Sequence, residues 1–563
     1  MDYKKTIAEL INIDGVSTEE IQALIAIPTD QSMGDFALPC FRFAKALRTS
    51  PVMIAAGLAD KLQGNLPACL KSVSAVNGYL NFKISEEGFI SDTLTDVLTK
   101  GAEFGCSCKG AGKTVCLDYS SVNIAKPFHI GHLSTTAIGA ALYRIYKALG
   151  YNVVGINHLG DWGTQFGKLI VAYKRWGNRE YIEKHSIRAL LEIYVRFHDE
   201  AENDPTLLEE GRAWFKKIED GDEEALNIFH WFKDITMREV QKVYERLHVH
   251  FDSYAGESFY NDKMEPVLAE LKQKGLLVES DGAEVVNLDE YNMPPCLLKK
   301  ADGATLYATR DIAAAFYRKN TYDFYKCLYV VAYQQNLHFK QWFKVVELMG
   351  YDWAKSLEHV AFGMVSLSDG TLSTRHGKVV FLEDVMNACV QRAKEIIEEK
   401  NPGALDADEI AEKVGVGAVI FSAVSNGRIK DITFSMDRVL NFDGETSPYI
   451  QYTHARCMSI LKKAGQNDSQ PDFSCLDKTA FSLVKLIERF PTVVEQAGEK
   501  YEPSFIARHI IDIAEHYNKF YFDNRIISGG DGAEKAKLML TQATMTVINA
   551  GMKMLGIECP DKM

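Results

Sequence analysis

The sequence predicts a multidomain α/β protein, with a central parallel-sheet domain carrying a helical insertion, an N-terminal α+β domain and a C-terminal all-α bundle. Three observations carry this. A chain of 563 residues is long enough for about three or four domains. Between residue 113 and about 390, apolar strand-like runs alternate with helical patterns, as a parallel sheet requires. From about 404 to the end the apolar spacing is almost all helical. The expected divisions are 1–110, 111–390 with the insertion at about 179–247, a helical connector at 391–445, and 446–563.

In the first division, Tyr3–Leu24 and Pro51–Leu62 have helical spacing. Ile25–Pro28 and Gly34–Pro39 read as short extended pieces. Val73–Ile84 alternates like a half-buried strand broken at Asn77-Gly78. Gly101–Gly112 is rich in glycine and reads as a linker.

The second division opens with its most informative stretch, Asp118–Gly150. An apolar run, Thr114–Tyr119, reads as a buried strand. The turn Ser120-Ser121-Val122-Asn123 follows, then Lys126-Pro127-Phe128 and His129-Ile130-Gly131-His132. Leu133, Ala137, Ile138, Ala141, Leu142, Ile145 and Leu149 then recur at helical spacing, and Gly150 stands where a helix ends in a left-handed residue. Two histidines therefore sit where a strand hands over to a helix start. Unpaired backbone N–H groups and the positive end of the helix dipole suit a phosphate there. Capping, core packing or a metal pair are other uses of His-x-x-His, although no cysteine or carboxylate stands nearby at metal spacing.

Tyr151–Asn157 reads as the second strand and runs into His158-Leu159-Gly160-Asp161-Trp162-Gly163. In doubly wound sheets the ligand crevice lies outside the carboxyl ends of strands. Arg179–Leu247 is charged and helical, and reads as a structural insertion with solvated faces. Ser253–Ser258 is expected to follow a short strand. After an Asp302-Gly303 turn, Tyr307 and Asp311 stand four apart, on one face if a helix has begun. Leu328–Val331 reads as a strand ending in a polar cluster that includes Gln335. Phe362–Gly370 looks like a strand entering a hairpin. The loop Leu372–Lys378 follows, and its cations Arg375 and Lys378 could follow charge onto a leaving pyrophosphate. In the last division, Ile450–Lys463 and Tyr517–Arg525 place aromatic and basic residues on helices. Such residues could stack and hold single-stranded bases, although stripes of this kind are more often core.

Composition narrows the classes. The hydrophobic fraction is 47 % and the charged fraction 25 %, as in ordinary globular protein. The longest apolar run, Val414–Val424, falls well short of the ~18 residues of a membrane span. The start carries no signal-peptide core. Eleven scattered cysteines favour reduced thiols over a disulfide framework. Cys106-x-Cys108 is the only close pair, so no structural zinc is expected. The net charge of −13 does not by itself suggest nucleic-acid binding. From Thr446 to Met563, 14 basic residues balance 14 acidic ones, so the acidic excess lies earlier in the chain.

Taken together, the words SSVNIAKPFHIGH, HLGDWGTQFG, YAGES, DGATLYATRD, AYQQNLHFKQWF, LSTRHGKVV and SPYIQYTHAR resemble those of arginyl-tRNA synthetases of the bacterial type, within class I of the aminoacyl-tRNA synthetases. The resemblance runs over essentially the whole chain. It implies a Rossmann-like catalytic domain, an N-terminal domain touching the bend of the tRNA, and an anticodon-reading helical bundle. It implies ATP as substrate, with Mg²⁺, and L-arginine and tRNA(Arg) as partners, in a cytoplasmic enzyme; a monomer is expected. Adenylate formation in this family generally needs bound tRNA. The reaction implied is ATP-dependent attachment of L-arginine to tRNA(Arg) through an arginyl-adenylate, releasing AMP and pyrophosphate. By position in the motifs, Asp118, Asn123, Glu257, Tyr307, Asp311 and Gln335 would bind arginine. His129, Gly131, His132, Gly160, Asp161, Arg375, His376 and Lys378 would bind ATP. Tyr79, Asn81, Tyr452 and Arg456 would bind tRNA. Lys126, His129, His132 and Lys378 would act in catalysis.

Chemistry agrees, since a planar five-donor guanidinium calls for several carboxylate or carbonyl acceptors. One departure stands out. The second class I motif, usually Lys-Met-Ser-Lys-Ser, is Ser373-Thr374-Arg375-His376-Gly377-Lys378 here, with histidine at the usual second lysine. Lys126, just before His129, is expected to supply that charge. Another class I ligase or small nucleotidyltransferase, or an inactive tRNA-binding paralogue, are the competing readings.

Overall fold

The computed structural model describes residues 3–28, 30, 33–67, 69–300, 305–367, 380–400 and 406–563. They form two compact units. One comprises Met1–Phe104, Arg456–Phe490 and Asp512–Ala550, and the other Gly105–Ala455, Pro491–Ile511 and Gly551–Met563.

The first unit is α+β. Strands β1 (Phe36–Pro39), β2 (Leu70–Val76) and β3 (Tyr79–Ile84) form an antiparallel sheet in the order β1-β3-β2. The Asn77-Gly78 break is the β2–β3 hairpin turn, with φ positive at both residues. The region expected as one helix over Tyr3–Leu24 is two, Tyr3–Leu10 and Thr18–Leu24. Ser17 starts the second: its hydroxyl accepts from the Glu20 N–H, and the Glu20 carboxylate accepts from the Ser17 N–H. This reciprocal cap satisfies two donors at a helix start. Ser17-x-x-Glu20 was therefore a readable break.

The second unit is built on a parallel sheet. Strands β4 (Thr114–Asp118) and β5 (Asn152–Ile156) pair in parallel. A three-stranded antiparallel sheet of β6 (Leu277–Ser280), β7 (Ala283–Val286) and β8 (Cys296–Lys299) follows in the chain. The parallel sheet resumes with β9 (Lys326–Tyr329) and β10 (Leu357–His359), giving the order β10-β9-β4-β5. The chain leaves β4 to one side for β5 and returns to its other side for β9. The carboxyl ends of β4 and β9 thus flank a topological switch point, where doubly wound sheets bind ligands. Residues 115–118 are buried, as a strand covered on both faces requires. Helix Leu133–Ala148 packs so closely that a Cβ on Gly139 would lie 2.3 Å from Cβ of Tyr119. On the β9 side, Trp342, Val345 and Val346 pack with Cys327, Tyr329, Ile312 and Leu271 in one apolar core.

The insertion is helical, with Arg179–Asn203, Thr206–Glu219 and Glu223–Arg246. Two local expectations change. β9 starts two residues before Leu328. Ser253 follows no strand; it makes a single parallel bridge to Ile156. Within Phe362–Gly370, expected to enter a hairpin, β11 (Val365–Leu367) pairs in parallel with β12 (Ile432–Phe434), and the expected hairpin itself falls on residues outside the described ones. An apolar strand pattern carries no information on the direction of its neighbour. Residues 301–304, which include the expected turn, and 368–379, which include Arg375, His376 and Lys378, lie outside the described residues. Among the described residues no helix is long and apolar enough to cross a membrane.

Candidate active site

The strand β4 ends at Asp118, and the segment after it bends sharply. Ser120, Ser121 and Ala125 all have positive φ, at 70°, 46° and 61°, a region that costs non-glycine residues about 1–3 kcal/mol each. Hydrogen bonds hold the bend in place. The Ser120 N–H donates to Thr135 Oγ1 at 3.0 Å, the Ile124 N–H to Gly160 O at 3.1 Å and the Ala125 N–H to Thr236 Oγ1 at 3.1 Å. The bend presents Asn123 and Lys126 at the surface. Asn123 also bridges to Gly160, where an added Cβ would lie 2.1 Å from Asn123 Oδ1.

His129-Ile130-Gly131-His132 forms a turn of 3-10 helix ahead of helix Leu133–Ala148. The expectation of free N–H groups there is not met. The Gly131 N–H donates to His129 Nδ1 at 3.0 Å, and the His129 N–H to His132 Nδ1 at 3.2 Å. The Ile130 N–H donates to Val380 O, and the His132 N–H to His129 O. The capping use of the histidine pair is real, and it has a chemical consequence. With each Nδ1 accepting, a neutral ring carries its proton on Nε2. Burial lowers the pKa of both rings, His132 to about 3, and the Lys126 ammonium lowers both further. At neutral pH both are uncharged donors through Nε2–H. The donors for a phosphate are thus side chains, backed by the helix dipole. The described residues that resume at Val380 also meet this turn, since Phe381 bridges to His129.

Three carboxylates gather near the carboxyl ends of the parallel strands, Asp118 and Glu257 each beside an arginine of the chain and Asp311 beside a histidine. Asp118 is 6 % exposed; its Oδ2 accepts from Arg318 Nη2 at 2.7 Å and its Oδ1 from Ser121 Oγ at 2.7 Å. Glu257 lies 3.6 Å from Arg310 Nη1, and Asp311 Oδ2 lies 2.6 Å from His338 Nε2. The three belong together: Asp118 and Asp311 both act electrostatically on the half-buried His158, and Asp311 on Glu257. Burial pushes the Glu257 carboxyl up to about 7, against the pull of Arg310. The helix Tyr307–Tyr322 has begun at Tyr307, so Tyr307 and Asp311 share a face; Tyr307 is exposed. Gln335 is exposed at the start of helix Asn336–Leu348, beyond the end of β9.

Other expected residues sit differently. Asp161 has no exposed surface. Its carboxylate accepts from Lys233 Nζ at 2.6 Å, Ser258 Oγ at 2.8 Å and the Ser258 N–H at 2.9 Å, so its side chain ties loops together. In the other unit Tyr79 is exposed and edge-on to Phe41 at 5.2 Å. Asn81 is buried, and its Nδ2 has no hydrogen-bond partner among the described residues. Tyr452 is exposed, whereas Arg456 donates to Asn518 Oδ1 and stacks on Tyr521.

Arg318 was not anticipated. It is 1 % exposed and its Nη2 also lies 3.4 Å from His158 Nδ1. Tyr307, Asp311 and Arg318 recur at i, i+4 and i+11, which is one helical stripe. That spacing was the available signal.

Known proteins resemble the chain along its whole length. Residues 93–436 match the family model described as tRNA synthetases class I (R), catalytic domain. Residues 2–84 match that of the arginyl tRNA synthetase N terminal domain, and 450–563 that of the DALR anticodon binding domain. The arginine--tRNA ligase of Alkaliphilus metalliredigens is 51 % identical over the full length of both chains. The chain belongs to the arginyl-tRNA synthetase family of class I. The arginine--tRNA ligase of Clostridioides difficile is likewise 51 % identical over both full lengths. Among solved structures, the arginyl-tRNA synthetase of Thermus thermophilus covers all of both chains at 25 % identity, with a TM-score of 0.76. That of Plasmodium falciparum, at 22 % identity and a TM-score of 0.74, shares the fold.

Proposed function

We propose that this protein attaches L-arginine to tRNA(Arg) with ATP, through an arginyl-adenylate, releasing AMP and pyrophosphate. The observation that carries this reading is the cluster of Asp118, Glu257 and Asp311 at the carboxyl ends of the sheet, with the paired Nε2–H donors of His129 and His132 on the same β4 connection. A guanidinium offers five donors in a fixed fork, and a carboxylate set can accept them in pairs. Asp311, Tyr307 and Glu257 are assigned to the guanidinium and α-amino ends of arginine, with Asn123 and Gln335 at its polar backbone groups. Asp118, held by Arg318, forms the floor.

ATP lies over the His129–His132 turn, its Mg²⁺ arriving on the phosphates. A side chain at Gly131 would displace the His129 ring and one at Gly160 the Asn123 amide, so both glycines keep those groups in place beside the ATP, and the backbone at Gly160 and Asp161 borders the adenosine. The arginine carboxylate attacks the α-phosphate in line and pyrophosphate leaves. The 2′-hydroxyl of the terminal adenosine then attacks the adenylate carbonyl, and AMP leaves. Neither step needs a protein nucleophile; positioning and charge stabilisation do the work. His129 and His132 donate to phosphate oxygens, and Lys126 supplies the cation that a histidine replaces in the second motif. Arg375, His376 and Lys378 are assigned to the pyrophosphate by the motif they occupy.

The same reading gives residues 1–110 the bend of the tRNA, through Tyr79 and Asn81. It gives 111–390 catalysis, 391–445 the connection, and 446–563 the anticodon, through Tyr452 and Arg456. It places the enzyme in the cytoplasm and as a monomer; light scattering on the purified protein checks the latter. Charging of a tRNA(Arg) transcript, assayed separately with each of the twenty amino acids, tests the function. Charging with arginine alone is expected; charging with another amino acid in its place, or with none, overturns it.

A further inference from the structure

The helix Glu223–Arg246 belongs to the insertion, whose charged pattern suggests a solvated structural add-on. Its buried stripe does something more specific. Lys233, Thr236, Val240 and Tyr244 stand at i, i+3, i+7 and i+11, so they share one face along about 16 Å of helix. Every polar member grips a loop of the candidate site. Lys233 Nζ donates to Asp161 in the loop after β5. Thr236 Oγ1 accepts from the N–H of Ala125 in the bend after β4. The Tyr244 hydroxyl touches both loops, at 2.8 Å from Ser120 Oγ and 2.9 Å from Asn157 Nδ2. Tyr244, Thr236, Asn157 and Asp161 are wholly buried, so water cannot substitute for these bonds. Ser120 and Ala125 are two of the strained positive-φ residues that frame Asn123. Strained backbone persists only where its surroundings over-determine it.

We infer that helix Glu223–Arg246 is the brace that holds the β4 and β5 loops in their reactive geometry, and that Tyr244 and Thr236 are positioning residues for the arginine site. Neither needs to touch substrate. The Tyr244 hydroxyl ties the two loops to each other through one atom, and Thr236 fixes the backbone just before Lys126. Loss of either bond leaves a buried polar group unpaired and frees the bend to leave its strained conformation.

The test compares Tyr244→Phe and Thr236→Val with Val240→Ala, which lies on the same stripe and is buried but has no polar group to hydrogen-bond either loop. Kinetics of arginylation are measured with arginine varied, and hydrogen exchange is followed at the Ser120–Lys126 amides. The kinetic arm rests on the arginylation reading; the exchange arm does not. If wild type fails to charge tRNA(Arg), that reading falls while exchange still judges the brace. The brace predicts that Tyr244→Phe and Thr236→Val each lower kcat/KM for arginine about tenfold and speed exchange in the bend about tenfold. Val240→Ala should lower thermal stability but leave both close to wild type. Exchange rates and kcat/KM within twofold of wild type in Tyr244→Phe would overturn the inference. So would equal changes in both from Val240→Ala.

Discussion

The amino-acid side and the nucleotide side of the site meet on one stretch, Asp118–His132, yet they are built on opposite electrostatic plans. On the amino-acid side every carboxylate is already paired within the chain, Asp118 with Arg318, Glu257 with Arg310 and Asp311 with His338. On the nucleotide side the two histidines are neutral, their Nδ1 atoms committed to the backbone. The nearby cation is the exposed Lys126. On the proposed reading, arginine meets carboxylates already placed by neighbours of the chain, so selection there rests on the position of acceptors, and ATP meets oriented neutral donors with an exposed ammonium beside them. Placed acceptors suit a planar five-donor fork better than a point charge, which is a physical route to refusing lysine.

The largest expected effect breaks the amino-acid side. Arg318→Met should cost about 3–5 kcal/mol of folding stability in urea denaturation, because it leaves the buried Asp118 carboxylate unpaired. Arg318→Lys should recover part of that. A variant as stable as wild type would show that Arg318 does not hold that charge. His129→Ala should lower kcat for adenylate formation about 10²-fold or more, the usual loss for one donor aimed at developing charge, while lowering stability by only about 1 kcal/mol, the usual cost of a lost cap. A drop in stability matching the drop in rate would demote His129 to its capping role.

A smaller effect separates the two sides by pH. The Glu257 carboxyl is pushed up to about 7 by burial, so in the empty site it is largely protonated below that value. Cationic arginine favours the ionised form. KM for arginine should therefore fall as pH rises through about 7 and level off above it, and Glu257→Gln should flatten the profile. KM for ATP should not share the inflection, since His129 and His132 are neutral throughout this range. A common inflection in both would contradict the division.

How much of this could be read in the chain varied with the kind of residue. The strand, bend and helix around His129 were legible because apolar spacing and glycine punctuate them. So was the shared face of Tyr307 and Asp311. Arg318, one helix stripe further, was not, because a lone basic residue in a helix looks like a solvated one until its partner across the sheet is known. Tyr244 and Thr236 were hidden for the same reason, in a segment whose charge suggested solvent. The parallel pairing of β11 with β12 was not legible, because a strand's apolar pattern does not name a partner distant in the chain. The free N–H groups expected at the helix start were lost to a local competitor, the imidazole nitrogens themselves.

The most direct test of the two-sided account is arginine-dependent ATP–pyrophosphate exchange with tRNA(Arg) present, in wild type and Lys126→Ala. The account predicts exchange reduced about 100-fold or more with KM for arginine unchanged, because only the nucleotide side has lost its cation. Exchange within twofold of wild type, or a loss carried entirely by KM for arginine, would contradict it.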